Sequence, residues 1–124
     1  MAKRRYADLL SRIQEAEVVR LCRDMVRIRS VNPPGGELEM AEYVANFLRE
    51  AGLTVEMISH TPTRASVLAR LRGSGEVPAL LYSGHLDTVP VGAEEWLHDS
   101  FEGEVAEGKI WGRGSADMKG AMRP

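Results

Sequence analysis

Between residues 15 and 28 the apolar side chains of Val18, Leu21, Cys22, Met25 and Val26 recur at spacings of three and four. That period predicts an amphipathic helix with Cys22 on its buried face, where a small thiol packs as a core side chain. The run Ser30-Val31-Asn32-Pro33-Pro34-Gly35-Gly36 ends the pattern, since its prolines lack backbone donors and its glycines permit left-handed backbone. A second helix is predicted over 37–51, with Met40, Ala41, Val44, Phe47, Leu48 and Ala51 on one face and Gly52 closing it. From Leu53 the period changes to two. Leu53, Val55 and Met57, then Val67, Ala69 and Leu71, predict two strands that Thr61-Pro62-Thr63 joins as an antiparallel hairpin. Residues 79–83 form a continuous apolar run between Pro78 and Gly84, the pattern of a central strand buried on both faces. Beyond Val89 the chain is rich in glycine, and a short hairpin is predicted around 105–111. Helices alternating with strands predict an α/β fold in which a helix-covered sheet carries chemistry at a strand's carboxyl end.

Composition narrows this picture in three ways. With 124 residues, 44% of them hydrophobic and 27% charged, the chain has the makings of one folded domain or part of one. Sixteen basic against eighteen acidic residues leave a formal charge of -2, which supplies no basic excess for phosphate backbones and argues against nucleic-acid binding. No apolar stretch approaches the roughly 20 residues of a membrane span, acidic residues interrupt the N-terminal segment where a secretory signal needs an apolar core, and the single cysteine fits a reducing compartment. The expectation is a cytoplasmic protein with a small-molecule or protein partner.

Two segments hold candidate chemistry. The apolar run leads directly into Ser83-Gly84-His85-Leu86-Asp87-Thr88-Val89, so a histidine and a carboxylate leave the strand two residues apart, on the same side in extended chain. A neutral imidazole is a common metal ligand, and a carboxylate on its second nitrogen fixes the tautomer. Taken alone, such a pair is more often a structural hydrogen bond. The second segment, Gly112-Arg113-Gly114-Ser115-Ala116-Asp117-Met118-Lys119-Gly120, is a glycine-dense loop around one carboxylate. It lacks the glycine spacing of a dinucleotide loop and the Gly-Lys-Ser/Thr ending of a Walker loop, and Asp117 would repel phosphate. By itself it reads as a plain surface turn more often than as a site.

Together the segments resemble the family of two-zinc metallohydrolases that includes aminoacylase, acetylornithine deacetylase, succinyl-diaminopimelate desuccinylase and glutamate carboxypeptidase. The resemblance covers residues 83–90, Trp96 and Phe101, residues 108–120, and the upstream loop at 30–35. It implies that the chain is the N-terminal part of a helix-covered, mixed β-sheet zinc-hydrolase catalytic domain. By the same resemblance His85 is a ligand to one zinc, Asp87 is the catalytic-site carboxylate that clamps the His85 ring, and Asp117 bridges two metals, with a peptide bond after it that is often cis. Zinc is implied at two ions per complete site, with cobalt also compatible with His and carboxylate ligands. The implied reaction is metal-assisted hydrolysis of amide bonds in N-acyl amino acids or small peptides, and the implied parent protein is a homodimer.

The family's general base, an adjacent pair of glutamates downstream of the bridging aspartate, has no match, because Glu94 and Glu95 lie upstream. Further acidic and histidine ligands and a dimerisation or lid domain are also unmatched. The expectation is a truncated catalytic domain over 1–124 that does not turn over substrate by itself, with an inactive remnant or interaction module of weak metal affinity as the alternative. His60 and His98 read as solvated side chains, Trp96 and Phe101 as loop anchors, and Arg113 and Lys119 as surface charge, with attraction of a substrate carboxylate as the competing reading for the last two.

Overall fold

The structure is a computed structural model and describes residues 7–122. Helix α1 spans Glu15–Arg27 and helix α2 spans Leu38–Glu50. Strands β1 (Thr54–Thr61) and β2 (Arg64–Arg70) form one antiparallel hairpin, and β3 (Glu104–Ala106) and β4 (Lys109–Trp111) form a second. The class is mixed α/β, built from two small antiparallel sheets.

Each helix serves a different hairpin. α2 lies against β1 and β2, with Met40, Ala41 and Ala45 buried beneath it, while α1 packs on β4 and on a tight turn at Ser115–Lys119 with Leu21, Cys22, Met25 and Val26 inward. The predicted stripe of α1 is therefore the buried one. On α2 the buried stripe includes Ala45, which the sequence reading left out, whereas Val44, Phe47 and Leu48 are only half-buried. The hairpin covers one side of α2 only, so its flanking positions stay at the rim. Gly52 ends the helix at φ 87°, a conformation in which a side chain is strained.

Polar contacts join the two layers. Glu37, 5% exposed, receives a two-pronged contact from Arg64, whose Nε and Nη2 donate to the carboxylate oxygens at 3.1 and 2.9 Å. Tyr43 on α2 donates its hydroxyl to Asp24 on α1 at 3.2 Å. Burial first, then Asp24, raises the Tyr43 pKa, so the phenol stays protonated as this contact requires. Arg23 and Arg27 reach from α1 to the carbonyls of Gly103 and Glu102, and the guanidinium of Arg29, just beyond the helix, lies over Phe101 at 4.5 Å, so these three arginines hold the loop before β3.

The expected central strand at 79–83 does not form. Among the described residues no strand pairs with this run, and Leu80, Leu81 and Tyr82 are 77, 82 and 87% exposed. A strand exists only where a neighbour completes its hydrogen-bond ladder. Here β1 pairs only with β2 and β3 only with β4, and among the described residues neither hairpin's outer edge takes up the run. No helix among the described residues is long and apolar enough to cross a membrane.

Two outcomes follow from this packing. Met40→Ala, at a position with no exposed surface, is expected to destabilise the chain by about 2–5 kcal/mol in a denaturant melt. Leu81→Lys is expected to leave stability unchanged and to lower concentration-dependent self-association in light scattering, because it breaks an exposed apolar run with a charge.

Candidate functional site

The loop after α1 is fastened to the segment that carries His85 and Asp87. Asn32 N donates to Thr88 O and Thr88 N to Ser30 O, both at 2.9 Å, which makes Val31 and Thr88 a parallel bridge. Ser30 Oγ adds a bond to Leu86 O at 2.7 Å. This clasp places the amide of Asn32 beside Asp87, where Nδ2 donates to Oδ2 at 3.0 Å. The Asn32 bond, the largest influence, and the neighbouring His85 together outweigh desolvation and hold the Asp87 carboxyl below its ordinary pKa. Asp87 is thereby kept ionised and fixed in orientation.

The third part of the site is the 115–119 turn. Gly114 enters it at φ 81°, and a side chain there would run into the Thr88 methyl at 2.5 Å and the Lys119 stem at 3.2 Å. Asp117 itself is extended and is followed by a cis peptide bond, as the resemblance implied. Met118 Sδ accepts from His85 N at 3.2 Å, which holds the turn against the histidine's own backbone. Lys119 is a correction to the sequence reading. It is 1% exposed rather than a surface charge, because its stem runs beneath the turn and Nζ donates to Ile28 O at the end of α1, 2.7 Å away. Burial pushes its pKa down to about 8.

His85 stands between two carboxylates. Its Nδ1 faces the Asp87 carbonyl at 3.1 Å, where Nδ1–H donates, and lies 3.0 Å from Asp87 Oδ1, and its Nε2 lies 3.0 Å from Asp117 Oδ1. Desolvation favours the neutral ring, but the Asp117 hydrogen bond, the Asp87 carbonyl and the two nearby charges together raise the imidazole pKa above its usual value. Both ring nitrogens face acceptors, so Nε2 and Asp117 Oδ1 form a pair that must share a cation: a proton, or a metal ion in its place. Asp117 is 87% exposed on its solvent side, which leaves the pair open to that exchange. The donor set thus fits a divalent metal at two positions. Among the described residues no cluster of three or more His, Cys, Asp or Glu could hold one alone.

The three residues singled out from sequence therefore come together, on the wall of a cavity of about 240 Å³ that Thr88, Arg113 and Ser115 also line. Glu94 and Glu95 are exposed and outside it, and His60 is exposed with Ser66 as its partner at 2.8 Å. His98 is not solvated as expected: it is bonded to Glu104 at 2.8 Å and lies on the Trp111 ring at 4.4 Å. Trp96 and Phe101 each carry a stacked arginine, Arg113 and Arg29. Asn32 was missed as a site residue, and its place in the loop at 30–35 that carries the resemblance was the only signal for it.

Residues 81–122 match the profile of peptidase family M20/M25/M40. The chain belongs to this family. It is 40% identical over 109 residues to succinyl-diaminopimelate desuccinylase of Methylobacterium radiotolerans, covering 84% of this chain and 26% of that protein. It is 36% identical over 111 residues to the enzyme of the same name from Rhodopseudomonas palustris, covering 86% of this chain and 28% of that protein. It is 34% identical over 111 residues to a probable succinyl-diaminopimelate desuccinylase of Staphylococcus epidermidis, covering 89% of this chain and 26% of that protein. The chain spans about a quarter of the length of these curated relatives. In all three the matched share of this chain is large enough to take in most of the described fold.

The role of Gly114 separates from that of an ordinary turn glycine. Gly92→Ala meets no neighbouring atom and is expected to cost only the left-handed penalty of about 1–2 kcal/mol. Gly114→Ala is expected to cost more than Gly92→Ala in the same melt and to broaden the amide signals of Thr88 and Lys119, which flank it.

Proposed function

We propose that this chain is the metal-binding N-terminal portion of the catalytic domain of a metal-dependent hydrolase that cleaves amide bonds in N-acyl amino acids or small peptides. The observation that carries the reading is the 3.0 Å pairing of His85 Nε2 with Asp117 Oδ1 while Asp87 occupies the other ring nitrogen. Family membership and relatives that are named for removing a succinyl group from diaminopimelate support it.

In this reading His85 and Asp117 hold the metal, and zinc is the ion of choice, two per complete site, with cobalt compatible. When bound, zinc supplies Lewis acidity toward a scissile carbonyl and an acidified water. The chain's own residues do the positioning. Asp87 holds the proton on Nδ1 through its carbonyl and its nearby carboxylate and so leaves Nε2 as the free ligand atom, and Asn32 keeps Asp87 from rotating away. The clasp at 30–32 and 86–88 holds that ring against the turn bearing Asp117. Roughly three protein ligands are usual for a catalytic zinc, so the remaining ligands, the general base and a dimerisation domain belong to the portion of the relatives' length that this chain does not span. Cytoplasmic residence belongs to the same reading, supported by a single, buried thiol.

Zinc titration is expected to shift the imidazole resonances of His85 while those of His60 and His98 stay in place, and Asp87→Ala is expected to weaken zinc binding by about 10–100-fold. Shifts confined to His60 or His98, or no zinc binding, would contradict the reading. The chain alone is expected to release no amino acid from N-acyl substrates. Chelator-sensitive release by the pure protein would show that two ligands suffice.

A further inference from the structure

The backbone that carries His85 is fastened by a sulfur atom. Among the described residues the run 79–83 pairs with no strand, and the one hydrogen bond made by the backbone of 79–85 is that of His85 N to Met118 Sδ, at 3.2 Å. The clasp with Ser30 and Asn32 takes hold only from Leu86 onward, so on its N-terminal side the histidine depends on this thioether. The packing there is close. A Cβ on Gly84 would stand 3.0 Å from Met118 Cε and 3.2 Å from Sδ, with Met122 Cγ at 3.7 Å. Met118 directly follows Asp117 in sequence, so one methionine sets how the turn bearing Asp117 meets the chain bearing His85.

A thioether is a weak acceptor and a polarisable nucleophile, and peroxides convert it to a polar sulfoxide. Met25, Met40 and Cys22 are buried on the helices, whereas Met118 is half-buried, as are Met57 and Met122. Of these three partly open sulfurs only that of Met118 accepts a hydrogen bond. In the oxidation the O–O bond of hydrogen peroxide breaks, one oxygen bonds to Sδ, which gives up two electrons, and the other oxygen leaves as water. An oxygen added to the lone pair that faces His85 N forces the amide away, because the 3.2 Å gap is already filled by the amide hydrogen. An oxygen added to the other lone pair draws electron density from the accepting one. Either product loosens the contact.

We infer that Met118 is a reversible oxidation site, and that its sulfoxide releases the His85 backbone from the turn and so weakens the pairing of His85 with Asp117. The oxidant is a small peroxide, and a methionine sulfoxide reductase restores the thioether. The loss of metal affinity that follows rests on the metal-binding reading above, whereas the movement of His85 does not.

The test treats the ¹⁵N-labelled 124-residue chain with dilute hydrogen peroxide and maps the product by peptide mass spectrometry. Met118 is expected to gain one oxygen while Met25 and Met40 do not. The His85 amide resonance is expected to shift in step with that gain and to return after treatment with methionine sulfoxide reductase and a thiol. Zinc affinity is expected to fall by about tenfold or more on oxidation, the loss typical when a group that orients a metal ligand is removed. Met118→Leu starts with weaker zinc binding and loses none of it to peroxide, whereas Met57→Leu responds as the wild type does. A Met118 that stays reduced while Met57 and Met122 oxidise, or one that oxidises with the His85 amide unmoved, would overturn the inference. An equal loss of zinc affinity in peroxide-treated Met118→Leu would also overturn it. The wild-type amide resonance decides even if a variant does not fold. Absence of zinc binding in both states would remove the metal reading and leave the amide shift to decide the oxidation site.

Discussion

Two backbone hydrogen bonds of 2.9 Å, exchanged between residues 30–32 and Thr88, connect everything that matters in this chain. Without them the loop after α1 and the segment bearing His85, 55 residues apart in sequence, are joined only by the side-chain bonds of Ser30 and Asn32. With them, one short parallel bridge fixes the Asn32 amide on Asp87, Asp87 on His85, and His85 opposite Asp117. The turn at 115–119 closes the arrangement because Lys119 is buried beneath it with its ammonium on the carbonyl of Ile28, which caps α1. Among the described residues this buried ammonium has no carboxylate partner, which is costly, and burial lowers its pKa. The turn carries it because the same stem fills the space under Gly114 that no side chain on that glycine could share.

What was legible in the sequence follows from the range of the interactions. The stripe of Leu21, Cys22, Met25 and Val26 is a local periodicity, and α1 and both hairpins emerged where period and turn residues placed them. The 79–83 run was misread because an apolar pattern reports a wish for burial, whereas a strand also needs a partner edge that no local pattern contains. Lys119 was misread for a related reason: residue type sets the usual fate of a lysine, and only the tertiary path of the turn reveals a carbonyl waiting at Ile28. The convergence of His85, Asp87 and Asp117 was legible through the resemblance, since spacing alone could not bring residue 117 to within 3.0 Å of residue 85. Asn32 could be recognised only once its neighbours were known.

The cavity's electrostatics divide into two halves. On one wall two carboxylates flank an imidazole and concentrate negative charge, which suits a cation. On the same cavity Arg113 lies over Trp96 and, among the described residues, makes no ion pair. That division is also what separates this arrangement from an ordinary surface turn, in which charges of opposite sign would pair with one another.

The central claim is that His85 and Asp117 are a metal-ligand pair. X-ray absorption at the zinc edge of the zinc-loaded chain addresses it without any assay of turnover. The account predicts a shell of nitrogen and oxygen donors containing one imidazole, which loses its imidazole signature in His85→Ala. A sulfur donor from Cys22, or an imidazole signature that survives in His85→Ala, would contradict it.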